Sequence, residues 1–134
     1  MNPKTAALQA RTHEFFVRVI SLCESVPNTP ASRSICEQLL DSAGSTDSNY
    51  RAACKARSKK EFIAKIGVAA EEADESHGWL IALRDAGIGD VQKLRPLIAE
   101  ANELTSIFVK SGQTATTRLR EEAEGRRAAR RRSR

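Results

Sequence analysis

Apolar positions recur along this chain at alternating steps of three and four residues, the spacing that lines one face of an α-helix. In the first stretch, from about Pro3 to Val26, Leu8, Phe15, Val19, Leu22 and Val26 share a face. Pro27 ends it and Thr29-Pro30 opens the next. A threonine hydroxyl accepts a backbone amide hydrogen at an N-cap, and the hydrogen that proline lacks is unpaired in the first turn anyway. The second helix is predicted to reach about Ala56, with Ile35, Leu39, Ala43, Thr46 and Tyr50 inward and the small run Ser42-Ala43-Gly44-Ser45 permitting close approach of a neighbour. Ser58 and Glu61 have the spacing of a capping box and start a third helix. There Phe62, Ile66, Ala69, Ala73, Ser76, Leu80 and Leu83 form a sustained heptad. Gly87 and Gly89 close it, Asp90 caps a fourth helix, and Val91, Leu94, Ile98, Ala101, Thr105 and Phe108 carry the spacing on to about Ser111.

Four helices of about 22 to 27 residues joined by short turns favour antiparallel neighbours. The expected fold class is therefore all-α, an antiparallel up-and-down four-helix bundle with a basic C-terminal tail. Residues 1–112 form the bundle, and residues 113–134 an arginine-rich tail that is flexible or becomes helical on binding. Gln113 to Thr117 is a weak helix former, and Gly125 argues against one continuous rigid helix. Second apolar lines, Phe16, Ile20 and Cys23 on the first helix and Ile63, Ala70, His77 and Ile81 on the third, either widen the core or bury a face between subunits.

Composition supports helix over sheet: six aromatic residues, much Ala, Leu, Glu, Arg and Lys, and few β-branched clusters. No apolar run approaches the length needed to span a bilayer, and the N-terminal MNPKTAALQA lacks the basic start and apolar run of a secretory signal. A cytoplasmic protein without a membrane role is the expectation. Cys23, Cys36 and Cys54 are an odd set with no CxxC pairing, read as small buried apolar groups in a reducing compartment.

Charge is distributed unevenly. The net charge is +5. The segment from Arg118 to Arg134 holds eight arginines, Arg118, Arg120, Arg126, Arg127, Arg130, Arg131, Arg132 and Arg134, against three glutamates, and so accounts for all of it. Within the neutral body, Arg51, Lys55, Arg57, Lys59, Lys60 and Lys65 face only Glu61 across the junction of the second and third helices. Both clusters suit a polyanion, with nucleic acid first, because arginine and lysine on phosphates release condensed counterions without reading bases. A solvated surface is the plainer reading of each. No aromatic residues interleave with these cations, so stacking on bases is not expected, and binding should show little sequence preference and steep salt dependence.

Several segments resemble a known family. Arg11-Thr12 with Phe15 and Val19-Ile20-Ser21-Leu22, then Ser42-Ala43, Asn49-Tyr50-Arg51-Ala52-Ala53, Glu61-Phe62, Lys65-Ile66, Val68-Ala69, Glu71-Glu72-Ala73 and Trp79-Leu80 look like the bacterial four-helix bundle proteins encoded by intervening sequences in 23S ribosomal RNA genes. The likeness covers roughly residues 11 to 110 and is most specific from Ser42 to Leu80. It implies an up-and-down bundle assembled as a homopentamer and a relation to the accessory protein of diversity-generating retroelements, which binds nucleic acid and a reverse transcriptase. It implies no enzyme and no cofactor.

The expected function is thus a non-enzymatic, oligomeric nucleic-acid-binding or scaffold protein, with RNA or DNA as partner. The alternative is a protein-interaction module whose tail docks an acidic partner such as a reverse transcriptase. A metal-binding bundle enzyme is more remote. Asp74 with His77, and Glu100 with Glu103, have the spacing of dinuclear bundle ligands, yet two histidines, His13 and His77, cannot complete the usual set.

Overall fold

A computed structural model describes residues 1–134, and it is helical from end to end apart from the turns. The helices are α1 (Pro3–Ser25), α2 (Pro30–Cys54), α3 (Lys59–Asp85) and α4 (Val91–Arg132). Each begins at a side-chain cap. Asn2 accepts from the Lys4 amide at 2.7 Å, Thr29 from Ser32 at 3.2 Å, Ser58 from Glu61 at 3.1 Å and Asp90 from Gln92 at 2.9 Å. The capping box at Ser58 is half formed: Glu61 Oε2 accepts from the Arg57 amide at 3.2 Å, one residue earlier than the box requires. Between α3 and α4, Gly87 and Gly89 take φ of 71° and 97°, a region that penalises a Cβ, which is why glycines stand at this turn.

Every helix packs on its neighbours in the chain, and α1 closes the ring against α4, with no diagonal pair in contact. That is an up-and-down bundle. Its core joins Phe15, Val19 and Leu22 of α1, Leu39 and Ala43 of α2, Ile66, Ala69, Ala73, Leu80 and Leu83 of α3, and Leu94, Leu97, Ala101, Leu104 and Phe108 of α4. The heptad expected in α3 is buried from Ile66 to Leu83, with Phe62 half-buried. In α4 the phase differs: Leu97 and Leu104 are buried where Ile98 and Thr105 were expected, and Val91 is exposed. Both sets share Leu94, Ala101 and Phe108, so periodicity fits either; Leu97 and Ile98 have equal bulk, and the greater apolar bulk of Leu104 over Thr105 favours the buried set. Of the second apolar lines, Ala70 is buried, Phe16, Cys23, Ile63, His77 and Ile81 are half-buried, and Ile20 is exposed.

Polar contacts also tie the helices together. Between α2 and α3, the Ser42 and Ser76 hydroxyls share a hydrogen bond at 2.8 Å inside the core, and each also lies within reach of a carbonyl of its own helix, Leu39 at 3.2 Å and Glu72 at 2.9 Å. Between α1 and α4, Arg11 makes a two-pronged contact to Glu100, Nε to Oε2 at 2.8 Å and Nη2 to Oε1 at 2.6 Å, and Nη2 also reaches Glu103 at 2.9 Å. These carboxylates hold the Arg11 guanidinium above its ordinary pKa, chiefly by hydrogen bonding, so it stays charged at any relevant pH.

The expected end of the fourth helix is corrected. It does not stop near Ser111 but runs to Arg132, giving 42 residues against 23, 25 and 27 for the others. Gly125 costs about 1 kcal/mol relative to alanine in a helix. Around it stand strong helix formers, Leu119, Ala123, Ala128, Ala129 and the arginines, and Arg130, Arg131 and Arg132 occupy the last turn, where positive charge is stabilised by the negative end of the helix dipole.

Candidate nucleic-acid interface

Up-and-down topology puts the start of α1, the α2–α3 turn and the end of α4 at one end of the bundle. The two predicted basic clusters therefore meet. Arg51 lies in the last turn of α2, Lys55 is its C-cap, Arg57 sits in the turn, and Lys59 and Lys60 open α3. All five are exposed, whereas Lys65, further down α3, is half-buried. The turn is joined to α4 by an ion pair between Lys59 and Glu122.

A cavity of about 580 Å³ indents this end, lined by Lys4, Thr5, Arg57, Ser58 and Lys59 above the apolar Leu8, Tyr50, Ala53 and Phe62. Lys4 was not among the residues singled out from the sequence. Its isolation from other cations along the chain hid it, yet a four-helix antiparallel order already implies that residues 1–8 sit beside the second turn. Tyr50 is no stacking platform. Its ring lies against Phe108 with centroids 5.1 Å apart and planes at 23°, and burial, reinforced by a hydrogen bond with Cys54, raises its phenol above the ordinary tyrosine value.

Residues of α4 beyond the core continue along α3. Gly112 approaches Ile66, where an added Cβ would lie 3.3 Å from the isoleucine side chain, so a larger residue would require that side chain to shift by a few tenths of an ångström. Arg120 borders Ile63 and Gly67 on one flank of α4, and Arg118 borders Phe62 on the other. Leu119 lies between them, half-buried. Since α3 begins at Lys59 and its partner is Glu122, the rest of α4 projects past the bundle by roughly ten residues, about 15 Å at the helical rise. No arginine from Arg126 onward makes an ion pair.

Two of the cations are partly committed. Lys59 is held by Glu122, and Arg51 Nε stands 4.0 Å from Asp47 Oδ1. Asp47 is buried; its Oδ2 is 2.9 Å from His13 Nδ1 while Oδ1 has no hydrogen-bond partner. Away from this end, Glu72 is raised above the usual glutamate value, first by desolvation and then by Glu75, Glu71 and Asp41 around it. No three His, Cys, Asp or Glu side chains are grouped to hold a metal ion, and Glu100 and Glu103 are both bound to Arg11. Only Cys36 of the cysteines is buried; Cys23 and Cys54 are half-buried and all three are free thiols. No helix is long and apolar enough to cross a membrane.

Residues 5–110 match the family described as 23S rRNA-intervening sequence protein. Among solved structures, the chain is similar to a protein of unknown function from the S23 ribosomal protein family of Bacteroides thetaiotaomicron VPI-5482, determined at 1.70 Å. The TM-score is 0.72 and the identity 26%, over 82% of this chain and 98% of that one. No curated protein matches it.

Proposed function

From the premise that this chain belongs to the 23S rRNA-intervening sequence protein family, we propose that it is a non-enzymatic binding protein whose basic end engages the phosphate backbone of nucleic acid. The observation that carries this reading is the convergence of Lys4, Lys55, Arg57, Lys60 and the α4 arginines at one end of the bundle, while the acidic Asp41, Glu71, Glu72 and Glu75 cluster on its side. Phosphate contacts set affinity and carry no base information, so little sequence preference follows. Self-association belongs to the same proposal: Val17 and Ile20 leave an apolar strip of α1 exposed, 42% and 38% accessible, and several copies would present their basic ends together and gain avidity.

The test is fluorescence anisotropy with mixed-sequence RNA and DNA across a salt series, comparing the full chain, a chain ending at Ala123, and Lys55→Glu with Arg57→Glu. Binding should weaken in both altered proteins, and log K should fall with log salt by about 0.7 to 0.9 per phosphate neutralised. Absence of binding by the full chain at low salt would sink the proposal and turn attention to an acidic protein partner.

A further inference from the structure

The projecting end of α4 is sorted by helical phase. At 100° per residue, Arg126 and Arg130 return to within about 20° of Leu119, the residue centred on α3. They therefore face the space directly beyond the end of the bundle. Glu121 and Glu124 fall about 140° to 160° away, on the outer side, and Glu122 is occupied by Lys59. Arginine thus forms the inner face of the projection, and the free acids are kept off it. At its foot lies the bundle end with Lys4, Lys55 and Arg57.

The result is a notch with two cationic walls, one the bundle end and the other a helix. Counted from Glu122, Arg126 stands about 6 Å and Arg130 about 12 Å above the foot. A double helix presents two phosphate rows set apart by a groove, about 12 Å for the major groove of B-form DNA. With Arg130 about 12 Å above the foot, the projection and the bundle end can contact both rows at once. A single strand gains nothing from the spacing, and it finds no aromatic platform here, since Tyr50 is stacked in the core and Phe62 is half-buried.

Building on the nucleic-acid reading above, we propose that the notch is a clamp for the backbone of a double helix, with Arg126 and Arg130 on one phosphate row and Lys55 and Arg57 on the other. The recognised chemistry is the paired phosphate rows, which RNA and DNA duplexes both have, with the groove width of about 12 Å belonging to B-form DNA.

The experiment measures binding of the full chain to a mixed-sequence DNA duplex, the matching RNA duplex, and each single strand, across a salt series. Two double reversals with the same change in net charge are compared: Arg126→Glu with Arg130→Glu on the inner face, and Arg131→Glu with Arg132→Glu on the outer. Circular dichroism of each variant verifies that α4 remains helical. Duplex should bind at least about tenfold more tightly than single strand, and the inner reversal should lower the salt slope by about 2, one per lost contact, while the outer leaves it nearly unchanged. The tighter of the two duplexes identifies the source. Equal affinity for single strands, or equal losses from inner and outer reversals, overturns the clamp while the general reading stands. No binding of any probe overturns both.

Discussion

Replacing Arg11 by methionine tests how the bundle is closed. The seam between α1 and α4 has the least packing of any in the ring, and Arg11 crosses it to Glu100 and Glu103. Its side chain is 34% exposed and that of Glu100 only 15%. A fully buried hydrogen bond to a charged group contributes about 1.5 to 3 kcal/mol, and a fully exposed ion pair about 0.2 to 1. With one partner a third open to solvent and the other largely covered, Arg11→Met should cost about 2 kcal/mol, much of it from leaving the Glu100 carboxylate unpaired. Glu100→Met leaves Arg11 with Glu103 and should cost about 1 kcal/mol. The double variant replaces the pair by two apolar side chains and should also cost only about 1, so the coupling is about 2 kcal/mol. Urea unfolding followed by far-ultraviolet circular dichroism, at fixed protein concentration, gives all three values. Single losses that add to the double within about 0.5 kcal/mol would refute the reasoning, because residues that do not interact behave additively.

Leu104→Ala should destabilise by about 2 to 5 kcal/mol and Thr105→Ala by less than about 1, measured in the same assay; the reverse order would restore the other phase of α4. Glu72 has a raised folded-state pKa, so its stability contribution is intact below the unfolded glutamate value and is lost as pH rises through the folded one. Glu72→Gln should accordingly raise the melting temperature at pH 7, with the gain vanishing below about pH 4, and a gain that persists there would contradict the assignment. Burial first, then a hydrogen bond with Cys36, pushes the Cys23 thiol up. Its alkylation by iodoacetamide at neutral pH should be much slower than that of free cysteine, as read by mass spectrometry, since the thiolate is the nucleophile.

What could be read from the chain differs by element. Boundaries were legible wherever a cap or a breaker stands: Thr29-Pro30, Ser58, Gly87, Gly89 and Asp90 all mark the ends they were expected to mark. The interior of α3 was legible because its inward positions, all apolar or small, recur at unbroken steps of four and three from Phe62 to Leu83. In α4 the apolar stripe is broad enough to satisfy two phases, and its end was hidden because Gly125 weighs against helix locally while the alanines and arginines around it outweigh that cost. The basic clusters were visible as composition, and their meeting at one end depends on helix order. Buried Asp47 had no signal: with Arg51 one turn away on the same helix it reads as a surface acid until the crossing of α1 on α2 brings His13 beside it.

The connector between α1 and α2 bears on how the bundle breathes. Because α1 shares least contact with its second neighbour, the opening motion of lowest energy is departure of that one helix, carrying Thr12, Phe15, Val19 and Leu22 out of their seats. Pro27 and Pro30 stiffen the hinge on which it swings. Release of α1 as a unit uncovers its seat on α2 and α4 while the more extensive α2–α3 and α3–α4 seams stay closed, so amides of α1 should exchange with solvent before those of α3.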